Sequence, residues 1–173
     1  MIVVIDTNVI LVANGQHENV SHACVASCAK RLEQVKKDGR VAIDDAYSIL
    51  TEYQNKTSSK VGKRAGDSFL KWLLNNKANP LRCDQVSLVE HAERGFESFP
   101  DDERLAKFDR SDRKFVAVAA AHRDKPPILQ AADSKWLAWN EGLAAHGVKV
   151  EFLCPTDISG FEGNKKRRKG QGR

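Results

Sequence analysis

The 173-residue chain predicts an α/β fold, a single-domain α/β/α sandwich around a central parallel sheet. Three observations predict it. Short apolar runs recur along the chain, at Ile2-Val3-Val4-Ile5, Val41-Ala42-Ile43 and Ile128-Leu129. They alternate with longer stretches of helical period, the pattern of parallel strands joined by crossover helices. The runs are continuously apolar, as strands covered on both faces are.

Each element follows in order. Ile2–Ile5 is the first strand, and a polar loop follows it. Ser21 caps a helix to about Lys37, with Ala23, Val25, Cys28, Leu32 and Val35 as its apolar stripe and Gly39 as its end. Val41–Asp44 is the second strand, and Ala46 to about Lys56 a helix. Residues 57–64 are polar, basic and Gly-containing, and read as a loop. Asp67–Asn76 is helical and Asn79-Pro80 stops it. Cys83–Val89 reads as a strand, followed by a short helix near Glu90–Phe96 and a turn at Phe99-Pro100-Asp101-Asp102. Arg113–Arg123 is a helix ended by Pro126-Pro127, and Ile128–Gln130 the next strand. Ser134–His146 is a helix with Gly147 as C-cap, and Val148–Leu153 a last strand. From Gly160 onward Gly, Lys, Arg and Gln replace apolar residues, so the domain is placed at 1–159 and a basic flexible tail at 160–173.

Composition narrows the class. Hydrophobic content of 41% and charged content of 29% fit a soluble globular domain, and no apolar stretch approaches the roughly 18 residues of a membrane span. No basic n-region precedes the first strand, so a cytoplasmic protein is expected. Cys24, Cys28, Cys83 and Cys154 read as reduced core thiols. The net charge of +5 belongs to the tail: residues 165–173 hold six cations and no acid, while the other 164 residues hold 22 basic and 23 acidic side chains.

Four acids fall where strands switch to helices or helices begin: Asp6, Glu52, Asp112 and Asp133. Singly, each has an ordinary reading as a helix cap, a turn residue or a solvated side chain. Together they fall on one edge of the expected sheet, beyond the carboxyl ends of the strands, where such folds bind ligands. An all-oxygen set there suits Mg²⁺ or Mn²⁺, and the chemistry that most often needs such a site is phosphodiester hydrolysis.

The motifs carry a resemblance. Val4-Ile5-Asp6-Thr7-Asn8-Val9-Ile10 resembles the opening of the PIN-domain nucleases, and Ile49-Leu50-Thr51-Glu52-Tyr53 their second-acid helix. Ser111-Asp112-Arg113-Lys114-Phe115 through Ala119 resembles their third-acid helix, and Ile128–Ser134 their fourth-acid strand. The resemblance spans residues 1 to about 155. It implies a metal-dependent endoribonuclease with Asp6, Glu52, Asp112 and Asp133 as catalytic metal ligands for one or two Mg²⁺ or Mn²⁺ ions. One ion would activate water and a second would stabilise the leaving 3′ oxygen. Asn8 and Ser134 would orient Asp6 and Asp133 from behind. Ser134, Lys135 and Trp136 follow Asp133 where many members carry a further acid; Asp109 could substitute, though a helix-entry role fits it better.

Lys60, Lys63 and Arg64 of the basic loop, with Lys165, Lys166, Arg167, Arg168 and Lys169 of the tail, are the expected RNA contacts. A toxin-like or defence nuclease held by a protein regulator (an antitoxin or defence-system partner) is the first expectation, with a homodimer left open and no membrane partner. Housekeeping RNA processing and a non-catalytic RNA-binding or scaffold role are the alternatives. His22, Cys24 and Cys28 read as core rather than zinc ligands, and Trp72, Trp136 and Trp139 as packing residues.

Cations on a segment without fixed geometry add affinity without reading bases. Truncation after Gly163 should therefore weaken RNA binding and flatten its salt dependence, by about 0.7 in log–log slope per lost single-strand phosphate contact. Cleavage positions should stay unchanged. Salt-dependent binding and cleavage maps of the full and shortened chains check both.

Overall fold

The computed structural model describes residues 1–57 and 63–158. Its order of elements begins with β1 (Ile2–Ile5), α1 (Thr7–Ala13), α2 (His22–Asp38), β2 (Arg40–Asp44), α3 (Ser48–Lys56), α4 (Ala65–Asn76) and β3 (Cys83–Val86). A two-stranded hairpin of β4 (Glu90–His91) and β5 (Gly95–Phe96) follows. Then come α5 (Arg113–Ala121), β6 (Ile128–Gln130), α6 (Lys135–Ala145) and β7 (Val150–Phe152).

The main sheet has five strands in the order β3-β2-β1-β6-β7 and every pairing is parallel. With helices covering it, the molecule is the expected α/β/α sandwich. β1 is central and wholly apolar, and Val3, Val4 and Ile5 are buried. The chain runs outward from β1 to β2 and β3, then returns to β1's other flank with β6. The β1/β6 junction is thus the topological switch point, where the crevice of such a sheet opens. No helix among the described residues is long and apolar enough to cross a membrane.

Local causes explain where the elements fall. Asp6 caps α1, its side chain accepting from the Asn8 N–H, and Val9, Ile10, Val12 and Ala13 bury one face of that helix. This helix replaces the polar loop expected after β1. On α2, Ser21 is the N-cap as expected, but Cys24 is buried and Ala23 exposed, so the stripe runs Cys24, Cys28, Leu32, Val35. α3 starts at Ser48 from Tyr47, which sits in the left-handed region at φ 59°. Asp44 takes over as cap, accepting from Ser48 N at 2.7 Å and Ile49 N at 2.8 Å. The helix expected near Glu90–Phe96 is instead the β4–β5 hairpin. Gly95 supplies its positive φ of 84°, which other residues adopt only with strain.

The cysteines depart from expectation. Cys24 and Cys154 are joined by a disulfide with Cα atoms 5.2 Å apart, although 130 residues separate them. The packing of α2 against the segment after β7 brings them together. Cys28 Sγ lies 3.9 Å from Cys154 Sγ, and burial pushes its thiol up to about 12. His22 stands apart from this sulfur group. Trp136 is fully buried and meets Phe108 edge-on at 5.1 Å, while Trp139 lies 4.3 Å from the same ring and Trp72 5.7 Å from Phe69. All three tryptophans are packing residues.

α4 and α1 approach closely at Gly66. A Cβ on Gly66 would sit 2.4 Å from the Ile10 carbonyl oxygen and 2.7 Å from Asn14 Oδ1. The same approach lets Asn14 bond Asp67 through Nδ2–H···Oδ1 at 2.9 Å. Gly66→Ala should therefore destabilise the domain by about 1–3 kcal/mol, the usual range for overpacking, read as a lowered Tm.

Candidate active site

The sheet places Asp6 first. It stands one residue past β1, between the ends of β2 and β6, and is 5% exposed. Its backbone N–H donates to Leu129 O at 3.0 Å, which ties it to β6. One carboxylate oxygen accepts from Asn8 N at 2.9 Å. Burial, the Asp112 carboxylate and the Glu52 carboxylate together push the Asp6 carboxyl up to about 8, against the Asn8 N–H and the Gln130 amide, which favour its ionised form.

Glu52 arrives on α3. The adjacent Tyr53, fully buried, donates its hydroxyl to Ile5 O and pins the helix to β1 one residue before Asp6. Thr7 Oγ1 donates to Glu52 Oε1 at 2.7 Å, and Lys114 pairs with Glu52 Oε2. Asp112 precedes α5, where its side chain makes no cap hydrogen bond, so its oxygens stay clear of the helix start. Burial raises its pKa, as do Glu52 and Asp109, while Ser111 and Lys114 lower it. Asp6, Glu52 and Asp112 thus form one mutually repelling group.

Asp133 stands outside this group and is linked to it through Lys135. Its Oδ1 accepts from Lys135 N at 3.0 Å, the helix-entry bond that its position anticipates. The Lys135 ammonium donates to Asp109 Oδ2 at 2.8 Å and also feels Asp133 and Asp112. Asp109 therefore anchors Lys135 rather than standing free toward the inner acids.

The supporting residues differ from expectation in kind. Asn8 holds Asp6 through its backbone, while its side-chain Oδ1 is buried without a hydrogen-bond partner. Ser134 sits directly beside Asp133 as the N-cap residue of α6. Thr7, Lys114 and Gln130 were not anticipated. Gln130 is fully buried at the end of β6; its Oε1 accepts from Ala131 N, and its Nε2, on the Asp6 side, falls short of full hydrogen-bond geometry. Asn8 Oδ1 is thus left for a further partner. Of the expected RNA contacts, Lys63 is exposed, while Arg64 is paired with Asp67 at 2.9 Å. Lys60, Lys165, Lys166, Arg167, Arg168 and Lys169 lie outside the described residues.

Comparison with family models, with curated proteins and with solved structures finds no match to this chain.

The raised Asp6 pKa links stability to pH. An ordinary aspartate in the unfolded chain titrates near 4, so between about pH 4 and about pH 8 the folded state holds a proton that the unfolded state has lost. Stability from this group is therefore full at low pH and falls as pH rises to about 8. Thermal melts of metal-free protein should show Tm falling across that window. Asp6→Asn should flatten the slope and melt higher than wild type at pH 8.

Proposed function

We propose that the chain is a metal-dependent endoribonuclease of PIN type that hydrolyses RNA phosphodiester bonds, with Mg²⁺ or Mn²⁺ as cofactor. The observation that carries the reading is the mutual interaction of Asp6, Glu52 and Asp112 at the switch point of a parallel sheet. A protein has little structural reason to gather three carboxylates around a buried position, since each raises the energy of the others' charge. A divalent cation supplies that reason.

The donors fit such an ion in kind. Cys24, Cys28 and Cys154 are the only group of three or more His, Cys, Asp or Glu among the described residues whose ligand atoms lie within 4.8 Å of one another, so the acids would close up on binding it. The acids offer carboxylate oxygens, the hard ligands that Mg²⁺ and Mn²⁺ take. Asp6, Glu52 and Asp112 would hold the ion and Asp133 would complete the set. When bound, the ion supplies Lewis-acid activation of water and stabilisation of charge on the phosphate. The chain's own contribution is placement. Asn8 N–H and the Leu129 carbonyl fix Asp6, Thr7 fixes one oxygen of Glu52, and Tyr53 fixes the register of α3 on β1. The exposed Lys63 presents positive charge to an approaching phosphate backbone.

Within this reading we favour a toxin-like or defence nuclease held by a protein regulator, acting in the cytoplasm. In a reducing compartment the Cys24–Cys154 disulfide would open to two neighbouring thiols.

Purified protein should cleave single-stranded RNA with Mn²⁺ or Mg²⁺, stop on addition of EDTA, and resume when the ion is restored. Asp112→Asn should lower the rate by about 100-fold or more, as loss of one charge contact to the reacting group does. Thr7→Val should lower it by about 10–100-fold, the range for a residue that orients a metal ligand. Undiminished cleavage after thorough chelation, or by Asp112→Asn, would reject the reading.

A further inference from the structure

Three sulfurs meet where α2 packs against the segment after β7. Cys24 and Cys28 stand four residues apart on α2, a spacing that puts both on one face of the helix. Cys154 reaches them from beyond β7, bonded to Cys24 and with its Sγ 3.9 Å from Cys28 Sγ. All three residues are buried, and their sulfurs lie within 4.8 Å of one another. A disulfide uses two of them and leaves Cys28 beside the pair.

We propose that Cys24, Cys28 and Cys154 form a redox-gated site for one thiophilic cation of the Zn²⁺ class, loaded when the Cys24–Cys154 disulfide is reduced. None of Asp6, Glu52, Asp112 and Asp133 belongs to this group, so the inference stands apart from the nuclease reading.

Ligand type and spacing agree on this. Thiolate sulfur is the donor that selects Zn²⁺ over Mg²⁺ and Mn²⁺. Zn–S bonds of about 2.3 Å in tetrahedral array place the sulfurs roughly 3.8 Å apart. Cys28 and Cys154 already stand at that separation. Cys24 is held closer to Cys154 by the covalent bond alone. A dithiol reductant gives two electrons and two protons, leaves as its own disulfide, and turns that bond into two thiols. Binding then forms three metal–sulfur bonds and releases three thiol protons to solvent. Three protein ligands leave the fourth position of the ion to water, the arrangement of zinc sites that keep an exchangeable ligand. Exposed Pro155 and Thr156 follow Cys154 directly, so solvent lies within a turn of the sulfurs. The frame around the ligands does not depend on the disulfide. Ser21 Oγ accepts from Cys24 N at 3.1 Å, and Asp157 accepts from Ser21 N at 2.6 Å and from Ser21 Oγ at 2.8 Å. These bonds involve no sulfur, and they keep the Cys154 segment on the start of α2 when the disulfide opens.

Metal binding to the full chain tests this without any cleavage assay. The protein is reduced with a phosphine, which opens the disulfide without adding a competing thiol, and titrated with Co²⁺ and then Zn²⁺. Reduced wild type should take up one Co²⁺ with a thiolate-to-cobalt charge-transfer band, which Zn²⁺ abolishes. Protein left oxidised should show no band. Cobalt held by carboxylates alone gives no such band, so binding at the acids is told apart. Cys28→Ser keeps both disulfide partners, yet it should weaken binding by more than the about 10–100-fold that loss of an outer-shell partner costs. Cys24→Ser should do the same, while Cys83→Ser, which alters the free thiol outside the group, should bind as wild type does. Melting curves check that each variant is folded, and Zn²⁺ should raise the Tm of reduced wild type. No thiolate band on reduced wild type, or a band undiminished in both Cys28→Ser and Cys24→Ser, would overturn the site and leave Cys28 a packing residue beside a plain disulfide.

Discussion

A carboxylate held out of water at the end of the central strand sets the terms for everything around it. Asp6 follows three consecutive buried apolar residues, so β1 cannot slide to expose it without exposing them as well. Its neighbours supply two modest compensations, one backbone N–H and one amide, against burial and two like charges. Such an arrangement is unstable as a piece of pure scaffolding, and replacement by an apolar residue of similar size would relieve it. The fold keeps it by anchoring from all sides: Leu129 O on β6, the α1 N–H groups that Asp6 caps, and Tyr53 on α3.

Tyr53 and Glu52 show how a fold turns packing into chemistry. The two are adjacent on α3, so they point to different sides of the helix. One is buried and fixes the helix on β1 through Ile5 O; the other is thereby aimed at the acids. Asp44 contributes at the start of the same helix, where Tyr47's left-handed backbone leaves the first N–H groups for it to satisfy. Three residues outside the acid group thus decide where Glu52 stands.

Much of the architecture was legible in the sequence, for a physical reason. Doubly covered parallel strands must be apolar throughout, and β1, β2 and β6 announce themselves that way. Asp6 and Asp133 were legible as residues that end such runs. What was hidden is tertiary. α1 went unread because Thr7-Asn8 opens it with turn-forming residues, while its cap, Asp6, was already read as a site residue. The β4–β5 hairpin has two-residue strands, too short to show a period, and Gly95 is its only marker. Thr7, Lys114 and Gln130 carry no signal of their own, because each acquires a role from a partner more than 40 residues away or across a strand boundary. The Cys24–Cys154 link is hidden in the same way. Asp133 was read correctly for position, yet its cap bond to Lys135 N is the ordinary helix-start role.

The strand order also governs when the acid group can exist. β1 is made first, but its second flank is β6, whose residues follow more than 120 positions later. Asp112 and Asp133 follow Asp6 by 106 and 127 positions. A chain still on the ribosome therefore carries Asp6 and Glu52 without the strand and helices that gather their partners, and closure of so distant a pairing is slow by its loop entropy alone. Biosynthesis itself thus sets the moment at which the acids first meet.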